Sequence, residues 1–274
     1  MKSKTDLYKR CRFTVEGYFA LPLSVDDMNV SNSQQWFEFD TRLSEAKRGE
    51  FTGIPQLADW IAKSNDWVLQ GQYVQLFGDA GSKQSLNAVL HTLPVGRNIS
   101  LEFAYGQAFE YWGHLSVIPA LIDMYERYSF SDDAMYVALS LSRLMEETPG
   151  KISEYPLDKG ENEVKQYCHM VRQRYEELCA RLGTRDAVVF RGDVISIQRI
   201  CKKMLDDLGR RHGFHEEMRH KFEAYTGVDC STLYVDEVPQ PLAAAAIVEE
   251  FLESPKAEKY KEGVRYFFGH RIPD

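Results

Sequence analysis

The stretch from Gly113 to Glu147 has the sequence GHLSVIPALIDMYERYSFSDDAMYVALSLSRLMEE. Apolar residues recur at helical spacing on both sides of a short polar break at Ser129 to Asp133. This pattern predicts two amphipathic helices joined by a turn. Pro119 suits the first turn of the first helix, where a missing backbone N–H costs nothing. The stretch therefore predicts a helical hairpin.

The opening phrase of this hairpin occurs more than once. Ile54-Pro55-Gln56-Leu57 has the same pattern as Ile118-Pro119-Ala120-Leu121, and a degenerate copy lies at residues 84–87. Each copy is followed by a second helix-like stretch after a polar break. Repetition of a helix–turn–helix unit every roughly 30–35 residues is typical of an α-solenoid. Because one helix pair cannot cover its own apolar stripe, we expect the pairs to stack on one another.

We therefore predict a mostly α-helical fold with three regions. Residues 1–52 form an N-terminal lead-in that packs on the repeats and contains a small extended segment at 11–25. Residues 53–150 hold the helical repeats, and residues 151–274 continue the same fold as a C-terminal helical region. In this last region we expect a long helix over 162–182 and a helix that Asp193 caps, running to about residue 211.

Composition limits the class of protein. The chain has 274 residues, 44% of them hydrophobic and 27% charged, as in an ordinary globular protein. No apolar run approaches the roughly 18–20 residues that cross a bilayer, and the first residues are polar, without a signal sequence. Five cysteines without a CxxC pair are typical of reduced thiols in the cytoplasm, where we place the protein, and not of a disulfide framework or zinc site.

The net charge of −8 is unevenly distributed along the chain. Segment 101–150 contains two basic residues, Arg127 and Arg143, against eight acidic ones. A surface that binds nucleic acid needs the opposite sign, so direct nucleic-acid binding is disfavoured. An acidic face attracts a basic partner, although a solvated, solubilising face explains the same pattern.

The sequence contains no recognisable catalytic motif. The phosphate-binding GxxxxGK[ST] and GxGxxG spacings and the GxSxG elbow are all missing. His212, His215 and His220 lack the spacing of a zinc protease and favour a solvated helix end. We therefore predict no catalytic residue, no metal site and no cofactor. If the chain is nevertheless an enzyme, His114 and His215 are the candidate bases.

The helix-pair spacing and the I-P-x-L starts over residues 53–148 resemble a divergent HEAT-type repeat. As a small, acidic protein with degenerate helical repeats, the chain also resembles bacterial immunity proteins of contact-dependent or polymorphic toxin systems. That resemblance implies stoichiometric, high-affinity masking of a secreted toxin domain. Such toxins are often nucleases with basic active sites, which fits the acidic segment 101–150.

Our first hypothesis is therefore a binding protein that neutralises a cognate basic toxin domain by masking it, without contact to membrane or nucleic acid. The predicted partner-binding residues are the acidic side chains of the central segment: Glu102, Glu110, Asp123, Glu126, Asp132 and Asp133. The alternatives are a general protein-binding scaffold with a solenoid groove, and an enzyme without a recognisable motif.

Overall fold

The computed structural model describes Tyr18 and residues 33–148, 150–155, 160–208, 216–235 and 238–274. This part of the chain is mostly helical, with eleven α-helices and six two-residue strands. The helices are α1 (Ser33–Lys47), α2 (Gln56–Lys63), α3 (Trp67–Ala80), α4 (Lys83–His91), α5 (Ile99–Trp112), α6 (Ile118–Tyr128), α7 (Ala134–Met145), α8 (Glu161–Leu182), α9 (Ile197–Asp207), α10 (Glu216–Thr226) and α11 (Pro241–Glu253). The strands form three antiparallel hairpins: β1 (Val189–Phe190) with β2 (Asp193–Val194), β3 (Tyr234–Val235) with β4 (Val238–Pro239), and β5 (Tyr266–Phe267) with β6 (His270–Arg271).

The helical hairpin predicted over 113–147 is confirmed as α6 and α7, which pack against each other. Pro119 lies in the first turn of α6, as its missing N–H allows. Helix α5 also begins and ends where its local chemistry predicts. The Asn98 side chain accepts from the Leu101 N–H at 3.1 Å, and Gly113 ends the helix at φ +72°.

One predicted helix start is wrong. Asp193 does not cap a helix: it lies in β2, and its carboxylate accepts from the N–H of the next residue, Val194. The cap of α9 is Ser196, whose hydroxyl accepts from the Arg199 N–H. The helix ends at Asp207, short of the predicted residue 211. Strand β2 is only two residues long, so no alternating pattern distinguishes Asp193 from a residue that begins a helix.

The chain divides into two compact units. Unit 1 holds Tyr18 and the described residues up to 54, together with 65–71 and 196–273; unit 2 holds 55–64 and 72–195. The predicted extended segment at 11–25 lies outside the described residues, apart from Tyr18. So do residues 212 and 215 of the histidine cluster.

Each unit contains three helices that are closed by a β-hairpin, although in unit 1 the β3–β4 hairpin is inserted between the second and third helices. In unit 2 these are α6, α7, α8 and β1–β2, with α6 packed on both α7 and α8, and α7 packed on β1. In unit 1 they are α9, α10, α11 and β5–β6, with α9 packed on both α10 and α11, and α10 packed on β5. The first helices also bury matching stripes, which are Ile118, Leu121, Ile122 and Tyr125 in α6 and Ile197, Ile200, Cys201 and Met204 in α9.

The turn of the β1–β2 hairpin caps a helix. Arg191 and Gly192 have φ of +53° and +75°, the signs that a type I′ turn requires. Their N–H groups donate to the carbonyls of Arg143 (2.8 Å) and Leu144 (2.9 Å) in the last turn of α7. These carbonyls lack an intrahelical donor, so the hairpin satisfies them.

The β5–β6 hairpin does the same in unit 1. Phe268 and Gly269, at φ +46° and +77°, donate to the carbonyls of Ala224 (2.7 Å) and Tyr225 (2.8 Å) in the last turn of α10. Counted from the helix end, these two carbonyls occupy the same positions as those in α7. Both hairpins therefore place a bulky residue in the left-handed region, which is uncommon and costs free energy.

Candidate protein-binding surface

The six predicted partner-binding carboxylates all lie in unit 2, but in different environments. Asp132 and Asp133 are exposed in the turn between α6 and α7. Neither forms an ion pair with any residue that the structure describes; Asp133 contacts only the hydroxyl of Ser131, at 3.5 Å, through its carboxylate. Asp133 occupies the N-cap position of α7, yet its side chain makes no capping hydrogen bond. These two carboxylates are therefore available to a partner.

Glu102 is not part of an exposed acidic face. Its side chain is fully buried and accepts hydrogen bonds from Arg127 Nη1 (2.6 Å), the Tyr128 hydroxyl (2.7 Å) and the Gly96 N–H (2.5 Å). A buried carboxylate needs such compensation, because desolvation of an isolated charge is costly. The role of Glu102 is to fasten the start of α5 to the end of α6.

Glu110 is likewise directed inward. Its carboxylate accepts from Arg143 Nη1 at 2.9 Å and from the Ser140 hydroxyl, and only 13% of its side chain is exposed. These contacts tie α5 to α7. The prediction that Glu102 and Glu110 belong to an exposed acidic face is therefore wrong, since both are neutralised by arginines of neighbouring helices.

Asp123 and Glu126 lie on α6 and share one cation. Arg172 Nη2 of α8 donates to Asp123 at 2.8 Å and to Glu126 at 2.6 Å. The hydrogen bonds that the guanidinium donates to Glu126 and Asp123 raise the pKa of Arg172, so it stays charged. Two negative charges against one positive leave a smaller excess here than at the exposed Asp132–Asp133 pair.

Beside Asp133 lies a cleft between α5 and α7. Its lining residues come from successive turns of both helices: Phe103, Gly106, Gln107, Asp133, Tyr136, Val137 and Ser140. The cleft has a volume of about 90 Å³. The lining combines aromatic rings with an amide, a hydroxyl and a carboxylate, so the cleft offers both apolar and polar contacts.

Exposed aromatic rings extend this surface. Phe130, in the same turn as the two aspartates, is 80% exposed, and Tyr136 at the cleft is 51% exposed. The Phe130 ring makes an edge contact with Tyr128, which in turn packs on Phe103 of the cleft. Sequence analysis missed Phe130 and Tyr136; the available signal was an aromatic residue inside a polar turn, since solvation alone favours only polar residues there.

We call the group formed by Phe130, Asp132, Asp133 and Tyr136 the acidic–aromatic surface. Carboxylates accept strong hydrogen bonds from arginine and lysine, and aromatic faces attract the same cations. Exposed aromatic residues are also enriched where proteins bind one another. This combination is suited to the binding of a basic protein segment.

His114, a candidate base, is held by structural contacts. Its Nδ1 accepts from the Ser116 N–H (3.2 Å) and lies 2.8 Å from the Ser116 hydroxyl, while Nε2 lies 2.9 Å from Asp186 Oδ1. The ring stacks on Trp112 at 4.8 Å and is 5% exposed. The residue types match a Ser-His-Asp triad, but here Nδ1 caps the short helical turn that leads into α6.

Asp186, the partner of His114, is also held by a second contact. Lys83 Nζ donates to Asp186 Oδ1 at 2.5 Å, which lowers the pKa of that carboxyl, and His114 adds to the effect. The adjoining backbone is paired too, with the Leu115 N–H donating to the Ala187 carbonyl at 2.9 Å. The contacts of His114 thus join the start of α6 to the segment before β1.

The described residues contain neither a metal site nor a membrane-spanning helix. No group of three or more histidine, cysteine or acidic side chains there is arranged to hold a metal ion. Across the same part of the chain, no helix has the length and apolar character needed to span a bilayer. No protein-family model matches the sequence, and neither a curated protein nor a solved structure is significantly similar to it.

Proposed function

We propose that this chain is a binding protein that masks a basic protein domain by docking it on the acidic–aromatic surface. One observation carries the proposal: Asp132 and Asp133 are exposed, without a cationic partner among the described residues, next to the exposed rings of Phe130 and Tyr136. The carboxylates of Glu102 and Glu110 are paired with arginines inside unit 2. The charge available to a partner is therefore concentrated in the turn between α6 and α7.

Two physical effects favour a basic partner at this place. Unpaired carboxylates steer a cationic surface towards them and raise the association rate. Once contact is made, the Phe130 and Tyr136 rings can pack against the stems and charged heads of lysine or arginine. Aromatic side chains of this kind commonly dominate the binding energy of an interface, so they hold the complex after the charges have guided it.

The resemblance to bacterial immunity proteins supports a toxin domain as the partner, with the helical hairpins forming a HEAT-like stack that presents the surface. A nuclease needs cationic groups to bind the phosphates of its substrate. Asp132 and Asp133 would pair with those same groups, and the bulk of unit 2 would cover them. Masking would then inhibit the toxin without any chemistry on the part of the inhibitor.

The first test is neutralisation in cells. The C-terminal domain of the protein that the upstream neighbouring gene encodes is expressed alone and together with this chain, and growth is recorded. We expect the chain to restore growth and to form a one-to-one complex with that domain on gel filtration. A neighbour that encodes no toxic domain, or toxicity that persists although both proteins are soluble, overturns the toxin proposal.

The second test locates the surface by association kinetics at several salt concentrations. D132N/D133N should lower the association rate constant by about tenfold at low salt, because two steering charges are lost. F130A/Y136A should mainly raise the dissociation rate, as expected for lost aromatic anchors.

The matched control is E249Q/E250Q, which removes an equally adjacent pair of exposed carboxylates from α11. It should leave both rate constants unchanged. Equal effects of the two acidic double variants would contradict a localised surface. Recovery of many unrelated partners, none of them dependent on Phe130 or Tyr136, would instead favour the general scaffold.

A further inference from the structure

Unit 1 encloses the side chain of Tyr18, which lies far upstream in the chain. Tyr18 is 1% exposed. Its ring makes edge contacts with Phe267 (5.1 Å between centroids) and Phe268 (5.9 Å), and a tilted contact with His220 at 5.5 Å. The first two rings belong to the β5–β6 hairpin and the third to α10. The ring therefore sits in an aromatic cage made by two separate elements.

Charged side chains bind both backbone polar groups of Tyr18. Its N–H donates to Oε1 of Glu223 on α10, and its carbonyl accepts from Nζ of Lys47 at the end of α1, at 2.8 Å. Glu223 is fully buried and also faces Arg219 at 3.6 Å. Buried charges are costly unless they are paired, so their placement on a main-chain N–H and carbonyl is a specific feature. These contacts bind the main-chain N–H and carbonyl of Tyr18, so they do not require particular side chains beside it.

Lys47 also contributes to the aromatic cage. Its ammonium lies 4.9 Å from the centroid of the Phe268 ring, within the range of a cation–π contact. Burial lowers the pKa of this lysine, while the nearby Glu223 carboxylate opposes the shift. One side chain thus binds the carbonyl of Tyr18 and the ring that packs against it.

Phe268 is held in a strained conformation at this position. Its φ of +46° is rare for a bulky residue and costs conformational free energy. Asparagine or glycine would satisfy the same turn with less strain. The phenylalanine places its ring between Lys47 and Tyr18, and strain of this kind is retained mainly where a site requires it.

We propose that Lys47, His220, Glu223, Phe267 and Phe268 form a peptide-binding pocket that recognises one aromatic residue together with its main-chain N–H and carbonyl. Tyr18 of the same chain is its ligand. The pocket contacts an aromatic ring and two main-chain groups, which any peptide with an aromatic residue can supply. Binding therefore does not require that the ligand belong to the same chain. This site lies in unit 1 and is independent of the acidic–aromatic surface.

The test removes the Tyr18 side chain from the pocket and then supplies it on a separate peptide. The full-length Y18A variant is titrated with a fluorescent synthetic peptide of residues 12–24, and anisotropy is measured. We expect saturable binding to Y18A and at least tenfold weaker binding to the wild-type chain, whose pocket is filled. A peptide with alanine in place of its tyrosine should not bind, whereas one with phenylalanine should.

Two controls keep the outcome clear. K47M in the Y18A background should abolish peptide binding, whereas K63M, which changes an exposed lysine of α2, should not. If Y18A does not fold, a photoreactive benzoylphenylalanine replaces Tyr18 in the full chain, and it should cross-link to the β5–β6 hairpin. Equal peptide binding by wild type and Y18A, no binding by either, or cross-links outside α10 and the hairpin would overturn the proposal.

Discussion

Glu102 and Arg127 form an ion pair in which the carboxylate is fully buried and the guanidinium remains 32% exposed. The two residues belong to α5 and α6, and their atoms approach to 2.6 Å. Tyr128 and the Gly96 N–H complete the hydrogen bonding of the carboxylate. The pair joins three segments of unit 2, and it removes from the surface a charge that the sequence pattern assigns to it.

We expect E102Q to destabilise the protein by about 2–4 kcal/mol, because an amide cannot satisfy three donors and leaves Arg127 without its counter-ion. Urea unfolding of E102Q, of the control variant E177Q and of the wild type measures the free energy of unfolding. E177Q is the control, since it breaks an exposed pair with Arg174 and should cost less than about 1 kcal/mol. Equal midpoints for E102Q and the wild type would show that the pair does not fasten α5 to α6.

Two glycines at helix ends allow the stability cost of a strained backbone to be separated from the cost of a steric clash. Gly113 and Gly183 have nearly the same φ, +72° and +68°, at the ends of α5 and α8. A Cβ at Gly113 would lie 2.7 Å from the Val189 carbonyl oxygen, whereas one at Gly183 would meet nothing within 4 Å. G183A should therefore cost about 1 kcal/mol for the conformation alone, and G113A clearly more. Equal losses in thermal or urea unfolding would contradict the close contact between α5 and β1.

The helices could largely be predicted because their signals are local. Asn98 before an apolar stripe predicts the start of α5, and the Gly113 and Pro119 positions follow from backbone chemistry. The partners of Glu102 and Glu110 could not be predicted in the same way. Their arginines lie 25 and 33 residues further along the chain, and only the packing of α5 on α6 and α7 brings them together.

Hydrophobic periodicity also could not predict the arrangement that the two units share. Only a short sequence pattern accompanies it, which is Phe190-Arg191-Gly192 in one hairpin and Phe267-Phe268-Gly269 in the other. In both hairpins a buried isoleucine follows three residues after the glycine. Those isoleucines, Ile195 and Ile272, close the hairpins with N–H donors to the carbonyls of Val188 and Arg265. Hydrogen bonds of the backbone define this similarity, so side-chain patterns reveal little of it.

Ser196 should carry the cap of α9 that sequence analysis assigned to Asp193. S196A removes the acceptor for the Arg199 N–H and should lower the free energy of unfolding by about 1 kcal/mol. D193N keeps an oxygen that can accept from the Val194 N–H, so it should change stability by less than about 0.5 kcal/mol. The reverse ranking of the two variants in urea unfolding would restore Asp193 as the cap.

Two cysteines should resist alkylation in the folded protein. Cys168 and Cys201 are fully buried, and burial raises their pKa to about 11 and about 12. At pH 8 both thiols therefore stay protonated, and the thiolate is the reactive species. Iodoacetamide should modify them only through transient opening, so their labelling, followed by peptide mass spectrometry, should accelerate more than a hundredfold in denaturing urea. Labelling of the native protein at the rate of a free thiol would show that the α8 and α9 cores open far more readily than their packing indicates.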